Sequence, residues 1–173
     1  EGDEIIYMIP NCLQIGHLAR SFGITVHECP IHQASGWQWD LDEVRSKITS
    51  KTKMIAVCNP NNPTGALIKD DVMDEIIDLA NEIDCWLLSD EVYRGAELDG
   101  NECRSFAGAT DKTIVNAGLS KAYSLPGLRL GWSVGSEDYI SRAWSFHDYT
   151  VINVAYLSYW VASRILEESR RKK

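Results

Sequence analysis

The sequence predicts an α/β fold: three layers, α/β/α, around a mostly parallel sheet. Two observations carry that prediction. Short, continuous apolar runs alternate with stretches of helical period along the chain, the pattern of parallel strands covered on both faces. Polar clusters rich in Asn, Pro, Gly and charged residues then follow three of those runs, where such sheets bind ligands, beyond the carboxyl ends of the strands.

Ile5–Ile9 reads as the first strand, and Leu13–Phe22 as a helix closed by Gly23. Ile24–Cys29 is the second strand. Asp40 opens a helix, with Glu43 at the spacing of a capping box. Lys53–Cys58 is the third strand. Asp70–Ile83 carries Val72, Ile76, Ile77 and Ala80 at helical period. Cys85–Leu88, Lys112–Ala117 and Leu128–Val134 are the remaining strands, and Ser136–His147 and Val151–Glu168 the last helices. Repeats, low-complexity segments and linkers are absent, so residues 1–173 read as one domain.

Composition narrows the function. The 173 residues carry a formal net charge of -8, which argues against a nucleic-acid partner needing a basic face. The basic Ser169–Lys173 reads as a solvated end rather than a binding patch. The acidic Glu1–Glu4 start does not read as a signal peptide. The uncharged stretch around Tyr149–Ser163 is interrupted by Asn153 and Ser158, so a buried helix is expected there rather than a membrane span. Five scattered cysteines, odd in number and without a C-x-x-C pair, suggest reduced thiols and a cytoplasmic setting. His27, Cys29 and His32 lie close together, but no second ligand pair follows, so no metal site is expected.

The chemistry sits in the three polar clusters. They are Asn59-Pro60-Asn61-Asn62-Pro63-Thr64-Gly65, then Ser89-Asp90-Glu91-Val92-Tyr93-Arg94-Gly95, then the run from Gly118 through Ser120-Lys121 and Pro126-Gly127 to Arg129-Leu130-Gly131. Taken singly each has an ordinary reading: a turn, a helix cap at Asp90, a surface lysine at Lys121, a salt-bridge arginine at Arg129. Together, at successive strand ends of a parallel sheet, they meet at one edge. A lysine amine condenses with a cofactor aldehyde or a carbonyl substrate. A carboxylate such as Asp90 keeps a pyridine nitrogen protonated. The Tyr93 phenol and the Asn62 amide suit a ring oxygen, and the Arg129 guanidinium suits a phosphate.

These segments resemble the fold-type-I pyridoxal-phosphate enzymes, and most closely the class I/II aminotransferases. The resemblance rests on Asn-Pro-x-Asn-Pro-Thr-Gly, Asp-Glu-x-Tyr and Ser-Lys-x-x-x-x-Pro-Gly-x-Arg-x-Gly, and it covers nearly the whole chain. It implies pyridoxal 5'-phosphate as cofactor, with Lys121 as the Schiff-base lysine and proton shuttle. It implies Asp90 as pyridinium partner, Tyr93 and Asn62 as donors to the ring oxygen, and Arg129 as the phosphate ligand. Ser120 is implied as a further phosphate contact. The implied architecture is the large cofactor-binding domain, a mostly parallel seven-stranded sheet with Leu128–Val134 antiparallel. The N-terminal part, with one strand, and the small domain are expected to lie outside residues 1–173. The implied partners are amino-acid and keto-acid substrates and a second subunit of a homodimer, with no nucleic acid and no membrane.

Two positions depart from the pattern. Gly118 stands where many members place Ser or Thr to bind phosphate, and Cys12 where an aromatic side chain often stacks on the ring. Cys12 is open between a core cysteine and a residue near the ring. The alternatives are a lyase, decarboxylase or oxidase on the same scaffold, or a non-catalytic binding or dimerising module that keeps the sheet. A nucleotide binder is disfavoured, because no G-x-G-x-x-G or G-x-x-x-x-G-K-[ST] loop occurs.

Overall fold

A computed structural model describes residues 2–167. Six strands form one sheet: β1 (Glu4–Ile9), β2 (Thr25–Pro30), β3 (Thr52–Cys58), β4 (Trp86–Asp90), β5 (Thr113–Gly118) and β6 (Gly131–Val134). Their order is β2-β1-β3-β4-β5-β6. β1 to β5 are parallel, and β6 pairs antiparallel with β5. The helices are α1 (Gln14–Ser21), α2 (Leu41–Ser46), α3 (Asp70–Glu82), α4 (Glu137–Thr150) and α5 (Tyr156–Ile165). The antiparallel sixth strand implied by the resemblance is present. Among the described residues the sheet has six strands, the number the sequence predicts for residues 1–173.

Strand alternation divides the sheet into two unlike faces. One face presents Ile6, Met8, Ile55, Val57, Leu87 and Val115 to the main core, closed by Val44 of α2 and by Met73, Ile76 and Leu79 of α3. The other face carries Tyr7, Ala56, Leu88 and Ile114. There Tyr7 packs against Gly16 of α1, where a Cβ would stand 2.9 Å from the Tyr7 ring. α4 covers this second face loosely. Trp86 meets Tyr139 with ring centroids 5.9 Å apart, and a cavity of about 290 Å³ remains between Met54, Trp86 and Ile114 and the helix residues Tyr139 and Phe146.

Helix ends follow local chemistry. Asp40 caps α2, its carboxylate accepting from the Asp42 and Glu43 amides. Glu43 does not complete a capping box; its carboxylate takes Lys47 at 2.7 Å instead, one turn on. Gly23, at φ 74°, ends α1 in the left-handed conformation that a glycine adopts without strain.

Three element boundaries are corrected. β4 runs past Leu88, because Ser89 and Asp90 pair with both neighbouring strands. β6 starts at Gly131 rather than Leu128: Pro126–Leu128 forms a 3-10 turn and Arg129 takes φ 50°, which turns the chain before it can pair. The last helix spans Tyr156–Ile165, after Ile152 breaks the helical path at φ 66°. Glu168 and the basic Ser169–Lys173 lie outside the described residues. The expected buried helix is buried only in part: Ser158 and Ala162 are covered, while Tyr156, Leu157 and Tyr159 are exposed. Hydrophobicity shows that a face favours cover, not that cover is present. None of the described helices is long and apolar enough to cross a membrane.

Candidate functional site

The three polar clusters lie side by side because β3, β4 and β5 are consecutive in the sheet and run in one direction. Register sets one transverse row: Cys58 pairs with Asp90, Asp90 with Asn116, and Asn116 with Ser133. Paired residues project to the same face, so Asp90 stands in the middle of a row of four short polar side chains.

The Asn-Pro segment is an ordered turn. Asn59 and Asn61 are buried. The Asn59 side-chain carbonyl accepts from the Ile68 amide at 3.0 Å. The Asn61 amide donates to the Pro10 carbonyl at 3.2 Å, and its oxygen accepts from the Thr64 hydroxyl at 2.7 Å. The turn is thereby tied to the end of β1. Its backbone also reaches β4, where the Asn59 amide donates to the Asp90 carbonyl at 3.0 Å. Asn62 is then presented outward, and its Nδ2 donates to the Tyr93 hydroxyl at 2.9 Å.

The segment after β5 is a tight loop on a plug. Leu119 is fully buried, its amide donating to the Leu130 carbonyl at 3.1 Å and its carbonyl accepting from the Leu125 amide at 3.0 Å. Lys121 stands at the exposed apex, with Nζ 5.6 Å from the centroid of the Tyr93 ring. Gly118 has a structural reason here. A Cβ on it would lie 3.1 Å from Gly131 Cα and 3.2 Å from the Leu130 carbonyl, and one on Gly131 would lie 2.8 Å from the Ala117 carbonyl. The two glycines pair directly in the ladder, and a hydroxyl-bearing side chain at 118 would have to push that contact apart.

Burial raises the Asp90 pKa above the ordinary carboxylate value, and the neighbouring Glu91 charge pushes the same way. The Val92 amide and the Lys121 ammonium oppose this without cancelling it. On the same face as Asp90, burial pushes the Cys58 thiol up to about 12 and the Tyr7 phenol to about 12. Asp90 is therefore a carboxyl flanked by two groups that stay neutral at neutral pH.

Of the six expected site residues, Asn62 and Tyr93 are joined by a hydrogen bond, Lys121 stands over the Tyr93 ring, and Asp90 ends the strand that leads into Tyr93. Ser120 is half-buried beside Lys121. Arg129 differs from the expected pose: its guanidinium donates to the Pro126 carbonyl at 2.7 Å, folded onto its own turn. Cys12 is exposed, so the core-cysteine reading fails, and its carbonyl accepts from the Tyr7 hydroxyl. His27 pairs with Glu4 at 2.9 Å, and the described residues hold no cluster of three or more His, Cys, Asp or Glu placed to bind a metal ion.

A family profile described as aminotransferase class I and II matches residues 1–171. The chain belongs to the class I and II aminotransferases. This aminotransferase chain is 30% identical, over 99% of its length, to the probable aspartate/prephenate aminotransferase of Aquifex aeolicus. It is 37% identical over 77% of its length to the glutamate-pyruvate aminotransferase AlaA of Escherichia coli (strain K12). Among solved structures, the aspartate aminotransferase of Thermus thermophilus with maleate superposes with a TM-score of 0.92 at 29% identity, over 98% of this chain. A PLP-dependent aminotransferase from Streptococcus suis gives 0.86 at 33% identity, also over 98%. The aminotransferase chain spans 45% of the Aquifex protein, 33% of the E. coli protein, 44% of the Thermus chain and 45% of the Streptococcus chain.

Proposed function

We propose that this chain is the cofactor-holding part of a pyridoxal-phosphate-dependent aminotransferase, moving an amino group between an amino acid and a keto acid. One observation carries the reading: the Asn62–Tyr93 hydrogen bond, with the Lys121 amine over the same ring and the raised Asp90 carboxyl at the adjoining strand end. These groups fit the pyridine half of the cofactor. When bound, pyridoxal phosphate supplies an aldehyde for the lysine and a ring that accepts electrons from the substrate α-carbon.

The chain's own residues would do the rest. Asp90, half-buried at the end of β4, would hold a cationic ring nitrogen, which replaces the water that burial removes. Tyr93 and Asn62 would donate to the ring oxygen, their mutual bond fixing both side chains beforehand. Lys121, exposed at its apex, would carry the proton between the α-carbon and the cofactor carbon once substrate takes its place. Ser120 and Arg129 would hold the phosphate, Arg129 after leaving the Pro126 carbonyl. We also infer a reducing, cytoplasmic setting from the five free thiols. A homodimer is inferred from the exposed aromatic residues Trp144, Tyr149, Tyr156 and Trp160 of the last helices.

Pyridoxal phosphate titration followed by amino-acid addition tests the reading. The expected result is a visible absorbance that forms with cofactor and fades when an amino acid is added. Sustained amino-acid/keto-acid turnover by residues 1–173 is expected to be slight, because the chain spans under half of its relatives. Absorbance that amino acids leave unchanged would favour the second reading, a non-catalytic module, which the folded-back Arg129 supports.

A further inference from the structure

We propose that Glu91 is a positioning residue: from the core side of the sheet, its carboxylate sets the course of the strand-end turn that presents Asp90 and Tyr93. The inference rests on the reading of the site given above. It concerns a residue that does not face the cofactor side at all.

Alternation along β4 places Leu87 and Ser89 on the core face and Asp90 on the other. Glu91, the next residue, returns to the core side. It is 3% exposed and Ser89 is 0% exposed. A single oxygen, Glu91 Oε1, accepts from the Ser89 hydroxyl at 3.1 Å and from the Phe106 amide at 2.9 Å. Phe106 is itself fully buried, so the carboxylate joins the end of β4 to a fixed core residue 15 positions later.

Everything between these two anchors is loop, and it includes Tyr93. Backbone bonds continue the turn: the Glu91 amide donates to the Asn116 carbonyl at 2.8 Å, and the Arg94 amide to the Glu91 carbonyl at 3.0 Å. The Tyr93 hydroxyl meets Asn62 only if this turn keeps its twist.

Burying a carboxylate carries a desolvation cost, and an apolar side chain would pack there without it. What an apolar side chain would not do is accept from the Phe106 amide, which would be left buried and unpaired. The carboxylate is therefore explained by the two donors it collects. Its charge also acts on Asp90, adding to the rise that burial causes.

The test compares Glu91→Gln and Glu91→Ala with Ile76→Val, a core change in α3 at a fully buried position. Each is measured at a temperature where circular dichroism shows it folded. Three quantities are read: the NMR shift of the Asn62 side-chain amide and the exchange rate of the Phe106 amide, both without cofactor, and the affinity for pyridoxal phosphate by absorbance. Glu91→Ala is expected to lose the hydrogen-bonded Asn62 signal. It should also speed Phe106 exchange and weaken cofactor binding, each by about tenfold. Glu91→Gln keeps an acceptor oxygen and should stay within about threefold on both counts. Ile76→Val should lower the melting temperature and leave all three unchanged.

The proposal is overturned if Glu91→Ala keeps the Asn62 signal, if Glu91→Gln is as damaging as alanine, or if Ile76→Val disturbs the site equally. Should Glu91→Ala fail to fold, Glu91→Asp replaces it. One methylene shorter, it should pull the turn and lose the Asn62 signal; an unchanged signal again overturns the proposal. If wild type binds no pyridoxal phosphate, the functional reading fails, while the Asn62 and Phe106 measurements still test Glu91.

Discussion

Lys121→Ala is expected to abolish the borohydride-stable cofactor adduct while leaving the melting temperature nearly unchanged. The two effects separate because of where Lys121 sits. Its side chain is exposed, and its Nζ stands 5.6 Å from the centroid of the Tyr93 ring, a contact worth about 0.5–1 kcal/mol at an exposed site. Other lysines are held otherwise: Lys47 pairs with Glu43 and Lys112 with Asp84, each at 2.7 Å. The Glu43 hydrogen bond holds the Lys47 ammonium above the ordinary lysine pKa, so Lys47 resists the deprotonation that condensation with an aldehyde requires. Intact-mass and peptide analysis after reduction reads the adduct, and a thermal melt reads the fold. An adduct of equal occupancy in Lys121→Ala would assign the chemistry to another amine.

Asp90→Asn is expected to move stability and cofactor binding in opposite directions. The sign follows from linkage. A carboxyl whose pKa is raised on folding contributes stability below its unfolded pKa, and that contribution is lost as pH rises through the folded value. At pH 7 the cofactor-free protein has therefore lost the stability that the Asp90 carboxyl contributes at low pH, a loss that asparagine does not share. Asp90→Asn should melt higher than wild type at pH 7, and the difference should vanish below about pH 4, the unfolded carboxyl value. Cofactor affinity should fall by about a hundredfold, the order expected when one partner of a buried charge pair is removed. A variant that melts lower at pH 7, or binds pyridoxal phosphate as tightly as wild type, would remove Asp90 from the role proposed for it.

What could be read from the sequence is what lies contiguous in it. The Asn62, Asp90 and Lys121 segments each combine turn residues with one chemical group, and a parallel sheet brings successive strand ends together without further information. Lateral relations were harder to read. Ending β4 at Leu88 concealed that Ser89 and Asp90 belong to the ladder. With that end placed correctly, the alternation Leu87, Ser89, Glu91 would have put two polar side chains on a core face and marked them for attention. Arg129 shows a different limit. Its spacing from Lys121 suits a phosphate, but spacing does not encode the left-handed φ of 50° or the bond to Pro126 that now holds the guanidinium. The aromatic residues of α5 show a third: their composition suits an interior, yet Tyr156 and Tyr159 are exposed within this chain. Gly118, a departure in sequence, follows in three dimensions from its close pairing with Gly131.

A crystal structure of the chain grown with pyridoxal phosphate tests the central claim most directly. The account predicts density continuous from Lys121 Nζ into the cofactor, with the ring nitrogen against the Asp90 carboxylate and the ring oxygen facing Tyr93 and Asn62. A cofactor bound elsewhere, or one whose nitrogen turns away from Asp90, would contradict it.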